Sequence, residues 1–269
     1  MLIQYLNYLY NSHNLHSVHS PFVYDFNKHV LNVKNEVVEF DAINGYRNEL
    51  TQDVSILKID TLGAGSKRKI IDKIAVKAFY NLTCTNHSFG SILYRIIQYY
   101  NYNNIIELGT GMGIGTSYML QALKNKTKTS IYSIEGSEVL FNFTRSQLNK
   151  HFSGHNVQLI KGNFDLVLPD ILASMPSIDL AFVDGNHSYE ATLDYFKMLL
   201  AKTNNNSVII FDDINWSKPM QTVWKEIIQF PEVTCSIDLF RWGLVFFRKE
   251  MKKEHFTIRF NGFLKAHIS

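Results

Sequence analysis

The sequence predicts an α/β fold with a doubly wound, mostly parallel sheet of seven strands that ends in an antiparallel hairpin. From about residue 104 onward, short apolar runs rich in Ile, Val, Leu and Phe alternate with segments of helical periodicity. This alternation, with short connections, is typical of parallel strands joined by crossover helices. The last two apolar runs follow each other directly, with only Arg241 and Trp242 near the turn. They therefore indicate a hairpin rather than another crossover.

The element boundaries follow from this pattern. Five strands are predicted near residues 104–109, 129–135, 156–161, 178–184 and 207–212, and two hairpin strands at 232–239 and 243–248. Helices are predicted at 114–124, 137–150, 165–174, 188–202 and 217–228. The N-terminal part differs, with helical runs at 1–10, 21–32 and 69–79 between polar loops. We therefore predict a helical cap at 1–89, the domain that contains the sheet at 90–250 and a C-terminal tail at 251–269.

Length and composition are typical of a globular protein. The chain has 269 residues, of which 46% are hydrophobic and 13% aromatic, enough for one large core. No uninterrupted apolar stretch approaches the roughly 18 residues of a membrane-spanning helix, and residues 1–5 lack the basic start of a secretion signal. We therefore expect a cytoplasmic protein without a membrane partner. The net charge of +3 gives no reason to expect a nucleic-acid partner. Cys84 and Cys235 lack the paired spacing of a zinc site and are expected to be reduced thiols.

A glycine-rich loop follows the first predicted strand of the sheet. Gly109, Gly111 and Gly113 let the backbone turn sharply and approach a ligand at the start of the next helix. The Gly-x-Gly-x-Gly spacing lacks the third glycine of the dinucleotide pattern, because Ile114 or Thr116 stands there. A pyrophosphate is therefore not the favoured ligand. The alternative is that the glycines only join a strand to a helix.

Two acidic residues near this loop indicate its ligand. Glu107 stands just before the loop, where a carboxylate is suited to hold a cationic amino group. Glu135 ends the next apolar run, where a carboxylate is suited to accept hydrogen bonds from both ribose hydroxyls. A ligand with both a nucleoside and an ammonium group indicates S-adenosylmethionine (SAM).

Three further carboxylates follow the fourth and fifth strands. Asp184 follows one apolar run, and Asp212 and Asp213 follow the next. Ligands of open α/β sheets bind at the carboxyl ends of the strands, and oxygen ligands suit a hard cation such as Mg²⁺. We therefore predict a divalent metal site. The alternative is that Asp213 caps the helix that starts near Ser217 and that Asp184 only binds backbone.

Three of the ten histidines have a candidate role, one as a general base and two in the cap. His187 lies three residues beyond Asp184, and Gly185 permits a tight turn that returns the imidazole to the same cleft. This makes His187 the best candidate for a general base. His16 and His19 precede Pro21, which is predicted to start a helix with Ser20 as its N-cap. The two histidines therefore have a structural interpretation, although a role in a lid or in substrate binding stays open. The cap also contains a second glycine-rich loop at 62–66.

The segment from about Gly90 to Arg248 resembles the Rossmann-like class I SAM-dependent methyltransferases, of the metal-using branch similar to catechol O-methyltransferase. Its first motif is matched by Glu107-Leu108-Gly109-Thr110-Gly111-Met112-Gly113, its ribose acid by Glu135, and its adenine-side loop by Gly162-Asn163-Phe164-Asp165. The resemblance implies that the cofactor is bound by Glu107, Gly109, Thr110, Gly111, Gly113, Glu135, Gly136, Asn163, Phe164 and Asp184.

The same resemblance implies the metal ligands. They fall on Asp184, Asp212 and Asp213, where catechol O-methyltransferases have Asp, Asp and Asn. Where those enzymes carry a catalytic lysine, this chain has His187, as in the Asp-x-x-His arrangement of metal-dependent sugar and macrolide O-methyltransferases. The resemblance therefore implies the reaction type but does not imply a catechol acceptor.

These observations predict Mg²⁺-assisted methyl transfer from SAM to the hydroxyl group of a small molecule. Three alternatives remain open: a metal-independent methyltransferase of the same fold, a SAM-binding interaction module without activity, and a nicotinamide oxidoreductase. No Asn/Asp-Pro-Pro-Tyr motif follows the fourth strand, which argues against methylation of a base amino group. The sequence leaves a homodimer open.

Overall fold

The computed structural model of the chain describes residues 2–14, 17, 19–33, 40–59, 73–154 and 156–260. Its α-helices are α1 (Leu2–Asn11), α2 (Pro21–Phe26), α3 (Asp41–Gln52), α4 (Val76–Thr83), α5 (His87–Tyr99), α6 (Ile114–Leu123), α7 (Glu138–His151), α8 (Phe164–Ser174), α9 (Tyr189–Leu200) and α10 (Lys218–Ile227), and a π-helical segment at Asn27–Leu31 continues α2. Its strands are β1 (Ile56–Leu57), β2 (Ile74–Ala75), β3 (Asn104–Leu108), β4 (Ser130–Glu135), β5 (Gln158–Lys161), β6 (Ile178–Val183), β7 (Thr203–Phe211), β8 (Cys235–Asp238), β9 (Gly243–Phe246) and β10 (Glu254–Thr257).

The predicted fold class is confirmed, with one strand more than expected. The chain forms two compact units, one of Met1–Lys34 with Leu172–Ser269 and one of Asn35–Ile171. The main sheet has eight strands, of which β3, β4 and β5 belong to the second unit and the other five to the first. The extra strand is β10, in the segment predicted as a tail. Its four residues, Glu-His-Phe-Thr, are too few and too polar to predict a strand from sequence.

The Asn35–Ile171 unit contains three parallel strands in the order β3-β4-β5. Helix α5, which was not predicted from the sequence, packs against α6. Its N-cap is Asn86, whose side chain accepts a hydrogen bond from the Phe89 N–H at 3.0 Å. A Cβ added at Gly90 would lie 2.3 Å from the Tyr118 ring, so this glycine permits the close approach of the two helices.

The other unit contains strands in the order β10-β8-β9-β7-β6. Strands β6 and β7 are parallel, and β9 pairs antiparallel with both β7 and β8, so the predicted hairpin is confirmed. Strand β10 pairs parallel with β8. The C-terminal half of β7 is buried, as its continuous apolar sequence predicts.

The described part of the N-terminal cap differs from prediction in three places. Helix α3 was not predicted, and the helix expected at 69–79 begins only at Val76 in the described residues. Pro21 starts α2 as expected, but the side chain of Ser20 makes no capping hydrogen bond. His16, the glycine-rich loop at 62–66 and residues 69–72 lie outside the described residues. None of the described helices has the length and apolar character needed to cross a membrane.

Candidate functional site

The loop between β3 and α6 has the backbone conformation that its glycines predict. Gly109, Gly111 and Gly113 have φ angles of 102°, 54° and 73°, in the region where a side chain is strained. The N–H groups of Gly109 and Thr110 both donate to the carbonyl of Ile134, at 3.0 and 3.2 Å. The loop is therefore anchored to the end of the neighbouring strand β4.

Glu135, at the end of β4, holds the same loop through its carboxylate. Its Oε2 accepts a hydrogen bond from the Gly111 N–H at 2.8 Å, and its Oε1 accepts one from the Ser137 N–H at 2.8 Å. The Thr144 hydroxyl donates to the Gly111 carbonyl at 2.6 Å. The predicted ribose-binding acid thus lies directly against the predicted cofactor loop.

Glu107 is buried, with only 1% of its surface exposed. Its Oε2 accepts hydrogen bonds from the hydroxyls of Thr116, at 2.6 Å, and Ser133, at 2.5 Å. Burial raises the pKa of Glu107 to about 7, against the opposing effect of these two donors. Glu107 therefore connects β3, β4 and the start of α6, and its predicted contact with a cofactor ammonium group stays a prediction.

The remaining predicted cofactor residues lie after β4 and β5. Gly136 is half-buried and follows Glu135, whose carbonyl accepts a hydrogen bond from the Gly162 N–H at 3.0 Å. Asn163 is exposed, and its side chain accepts a hydrogen bond from the Asp165 N–H at 3.0 Å at the start of α8. Phe164 is the half-buried first residue of α8. Since β3, β4 and β5 are parallel, all these residues lie at the carboxyl ends of their strands.

One residue that holds this loop was not found from the sequence. The hydroxyl of Tyr46, on α3, donates to the carbonyl of Met112 at 2.6 Å, and Tyr46 is fully buried. Its ring stacks on that of His151, with centroids 5.0 Å apart. The sequence carries no signal for this bond, because an isolated tyrosine on an amphipathic helix is typical of a core residue.

The predicted metal ligands lie around an arginine. Arg241 donates from Nε to Oδ1 of Asp212 at 2.7 Å and from Nη2 to Oδ2 at 2.6 Å. Its Nε also lies 3.6 Å from Oδ1 of Asp213. The Asp212 side chain is completely buried. A bidentate pair of this kind is among the strongest charge-assisted contacts in proteins.

The electrostatics of the cluster follow from this pair. Burial alone would raise the pKa of Asp212, but the Arg241 guanidinium outweighs it and holds that pKa below its usual value. Burial and the neighbouring Asp212 carboxylate raise the pKa of Asp184 well above its ordinary value. The Asp212 carboxylate in turn raises the pKa of Arg241, against the effect of burial. The cluster therefore contains an ionised Asp212 beside a permanently charged guanidinium.

These residues do not fit the predicted Mg²⁺ site. In the part of the chain that the structure describes, no group of three or more His, Cys, Asp or Glu side chains could hold a metal ion. Both oxygens of Asp212 already accept hydrogen bonds from Arg241, and its Oδ1 also accepts one from the Asp213 N–H at 2.7 Å. The alternative role of Asp213 as a helix cap is not observed either, since Ser217 caps α10 through a bond from the Met220 N–H at 3.3 Å.

His187 lies beside Asp184, as predicted. Its Nε2 is 3.7 Å from Oδ1 of Asp184, and 29% of its side chain is exposed. The loop turns at Asn186, which has a φ of 49°, and α9 begins after its N-cap Ser188. The tight turn expected near Gly185 is therefore made by the next residue. His187 and Asp184 therefore form a partly accessible pair.

Comparison with known proteins identifies a family to which part of the chain is similar. Residues 106–214 match the model of a family described as a methyltransferase domain. This segment contains the glycine loop, Glu135, Asp184, His187 and the Asp212–Asp213 pair. The predicted resemblance to class I SAM-dependent methyltransferases is thus confirmed for the domain and its fold.

Solved methyltransferases share the fold at low sequence identity. The SAH-bound Podospora anserina methyltransferase PaMTH1 is 16% identical, with a TM-score of 0.59 over 80% of this chain and 91% of that one. A Bacillus cereus O-methyltransferase in complex with SAH is 15% identical, with a TM-score of 0.58 over 79% and 93%. TomG from Streptomyces achromogenes, an O-methyltransferase of tomaymycin synthesis in complex with SAM, is 17% identical, with a TM-score of 0.57 over 80% and 92%.

A curated relative is more similar in sequence but covers less of the chain. The uncharacterized protein R132 of Acanthamoeba polyphaga mimivirus is 31% identical over 130 residues, which are 46% of this chain. The match spans 58% of the length of that relative.

Proposed function

We propose that this chain is a SAM-dependent methyltransferase that transfers a methyl group to a hydroxyl oxygen of a small molecule. The observation that carries the proposal is the Gly111–Glu135 contact within a segment that matches a methyltransferase domain. Similar folds that bind SAM or SAH, two of them O-methyltransferases, support the same cofactor and the same type of acceptor.

The residues around the loop fit a nucleoside ligand. A Cβ added at Gly111 would meet no atom within 4 Å, so there is open space beside the loop. Both carboxylate oxygens of Glu135 accept a backbone hydrogen bond beside the loop, and a carboxylate is the acceptor that suits the hydroxyls of a ribose. When bound, SAM supplies a methyl group on a positively charged sulfur. The loop then has only to position the donor and exclude water.

The chain's own contribution to the chemistry is proton removal. Methyl transfer to a hydroxyl requires loss of its proton, and a neutral imidazole can accept one near pH 7. His187 is partly exposed and its Nε2 lies 3.7 Å from Oδ1 of Asp184, so it is the proposed general base.

The proposed mechanism does not use Mg²⁺. The acidic cluster predicted to bind the metal contains the Arg241–Asp212 ion pair, which occupies both carboxylate oxygens of Asp212. This observation favours the metal-independent methyltransferase, which was left open as an alternative.

Calorimetry with SAM, followed by mass-spectrometric detection of SAH in a panel of hydroxyl acceptors, tests the proposal. We expect SAM to bind, NAD not to bind, and SAH to form with at least one acceptor. SAM binding without SAH formation across the panel would instead support the interaction module. Absence of SAM binding would contradict the proposed function.

A further inference from the structure

Three carboxylates close together, one of them fully buried, repel each other unless a positive charge compensates them. In this chain the positive charge belongs to Arg241, which lies 29 residues beyond Asp212 in sequence. Its guanidinium contacts Asp212 at 2.6 and 2.7 Å and lies 3.6 Å from Asp213. The side chain of Arg241 therefore already supplies a positive charge where the predicted divalent cation would contact Asp212 and Asp213.

The backbone fixes Arg241 in this position. The Leu239 N–H donates to the Trp242 carbonyl at 2.8 Å, closing the turn between β8 and β9. The Ile214 N–H donates to the Arg241 carbonyl at 3.0 Å, and the Asn215 side chain donates to the Phe240 carbonyl at 2.8 Å. The turn is thus bonded to the residues that directly follow Asp212 and Asp213, so the arginine is part of the site's framework.

A metal would have to displace this contact. Binding through Asp212 would remove a bidentate pair whose carboxylate is fully buried, and the released guanidinium would face the incoming cation as a like charge. A guanidinium also differs from a lysine ammonium, since its planar fork matches the two carboxylate oxygens.

We propose that Arg241 is the resident cation of the Asp184–Asp212–Asp213 cluster and that methyl transfer in this chain needs no divalent metal. Arg241 acts as a positioning residue that occupies both carboxylate oxygens of Asp212. The statement about methyl transfer rests on the proposed function, whereas the statement about metal binding can be tested without any acceptor.

Titration of the full chain with Mn²⁺, followed by electron paramagnetic resonance of the free ion, tests the proposal. We expect wild type to bind Mn²⁺ weakly and Arg241→Ala to bind it at least about tenfold more tightly, because the competing charge is gone. Arg241→Lys keeps the charge but loses the bidentate fork, so its affinity for Mn²⁺ should lie between those of wild type and Arg241→Ala. Arg241→Ala combined with Asp212→Asn should lose the gain. Wild type that binds Mn²⁺ as tightly as Arg241→Ala would overturn the proposal.

Circular dichroism of the variant and turnover in the presence of a chelator complete the test. If Arg241→Ala fails to fold by circular dichroism, tight Mn²⁺ binding by wild type still overturns the proposal and weak binding supports it. Where SAH formation is observed, turnover unchanged by a chelator supports the proposal, and turnover that is lost in chelator and restored by Mg²⁺ contradicts it. If no SAH forms, the proposed function has failed and the Mn²⁺ result still stands.

Discussion

The backbone N–H of Gly111 donates a hydrogen bond to Oε2 of Glu135 at 2.8 Å. The acid at the end of β4 therefore holds the loop that follows β3 before any ligand is bound. A residue predicted to bind ribose thus also shapes the loop predicted to receive the cofactor. Loss of its carboxylate removes two backbone contacts as well as the proposed ribose contact.

Substitution Glu135→Ala is expected to weaken SAM binding by about tenfold or more, since each lost hydrogen bond to a charged group contributes about 1.5–3 kcal/mol. Calorimetry with SAM measures this change. Glu138→Ala is the matched control, because Glu138 is an exposed acid on α7 whose contact is with Lys161. Equal affinities for the two variants would contradict the role of Glu135.

Substitution Gly113→Ala is expected to lower the free energy of unfolding by about 2 kcal/mol or more. Gly113 has a φ of 73°, and an added Cβ would lie 2.7 Å from Cγ2 of Thr144. Gly154→Ala is the control, because it has a φ of 85° but no atom within 4 Å, so backbone strain alone should cost about 1 kcal/mol. Urea denaturation compares them, and a smaller loss for Gly113→Ala would refute the steric explanation.

Glu107 is expected to make stability depend on pH. Its pKa is raised from 4.5 to about 7, chiefly by burial and also by the charge of Glu135. The folded state therefore binds the proton more tightly than the unfolded state. The free energy of unfolding should fall by about 3 kcal/mol as pH rises from about 4.5 to about 7, and this contribution should then stay level.

Urea denaturation at pH 5 and pH 8 checks this effect in wild type and in Glu107→Gln, which keeps the volume and an oxygen acceptor for Thr116 and Ser133. The variant should lose less stability than wild type between the two pH values. An equal loss in both proteins would show that Glu107 does not titrate in this range.

Substitution His187→Gln is expected to lower kcat by about 100-fold or more while SAM affinity stays unchanged, since a general base contributes that much to proton transfer. Steady-state kinetics with any acceptor that yields SAH measures the loss. His29→Gln is the control, because His29 is a partly exposed histidine whose Nε2 lies 3.5 Å from Oδ1 of Asp25, one turn earlier in the chain. A variant with full kcat would remove His187 from the mechanism.

Much of the fold was predictable because buried parallel strands require continuous apolar runs. The helices observed at Ile114–Leu123, Glu138–His151 and Lys218–Ile227 differ from prediction by only a residue or so at each end. Helices α3 and α5 and strand β10 were missed, since short or mixed patterns do not distinguish a helix or strand from a loop. The glycine loop was predictable because only glycine readily adopts its positive φ angles.

The sequence by itself determined the order of strands and helices along the chain, the glycine loop and the acids at the carboxyl ends of β3, β4, β6 and β7. These features depend on local periodicity and on residue type at strand ends. Tertiary structure alone decided which partners these acids have. Arg241 reaches Asp212 across 29 residues, and Tyr46 reaches Met112 across 66 residues, because strand pairing and helix packing join distant segments. A carboxylate cluster therefore predicts a cation, but only the folded chain shows that the cation is an arginine.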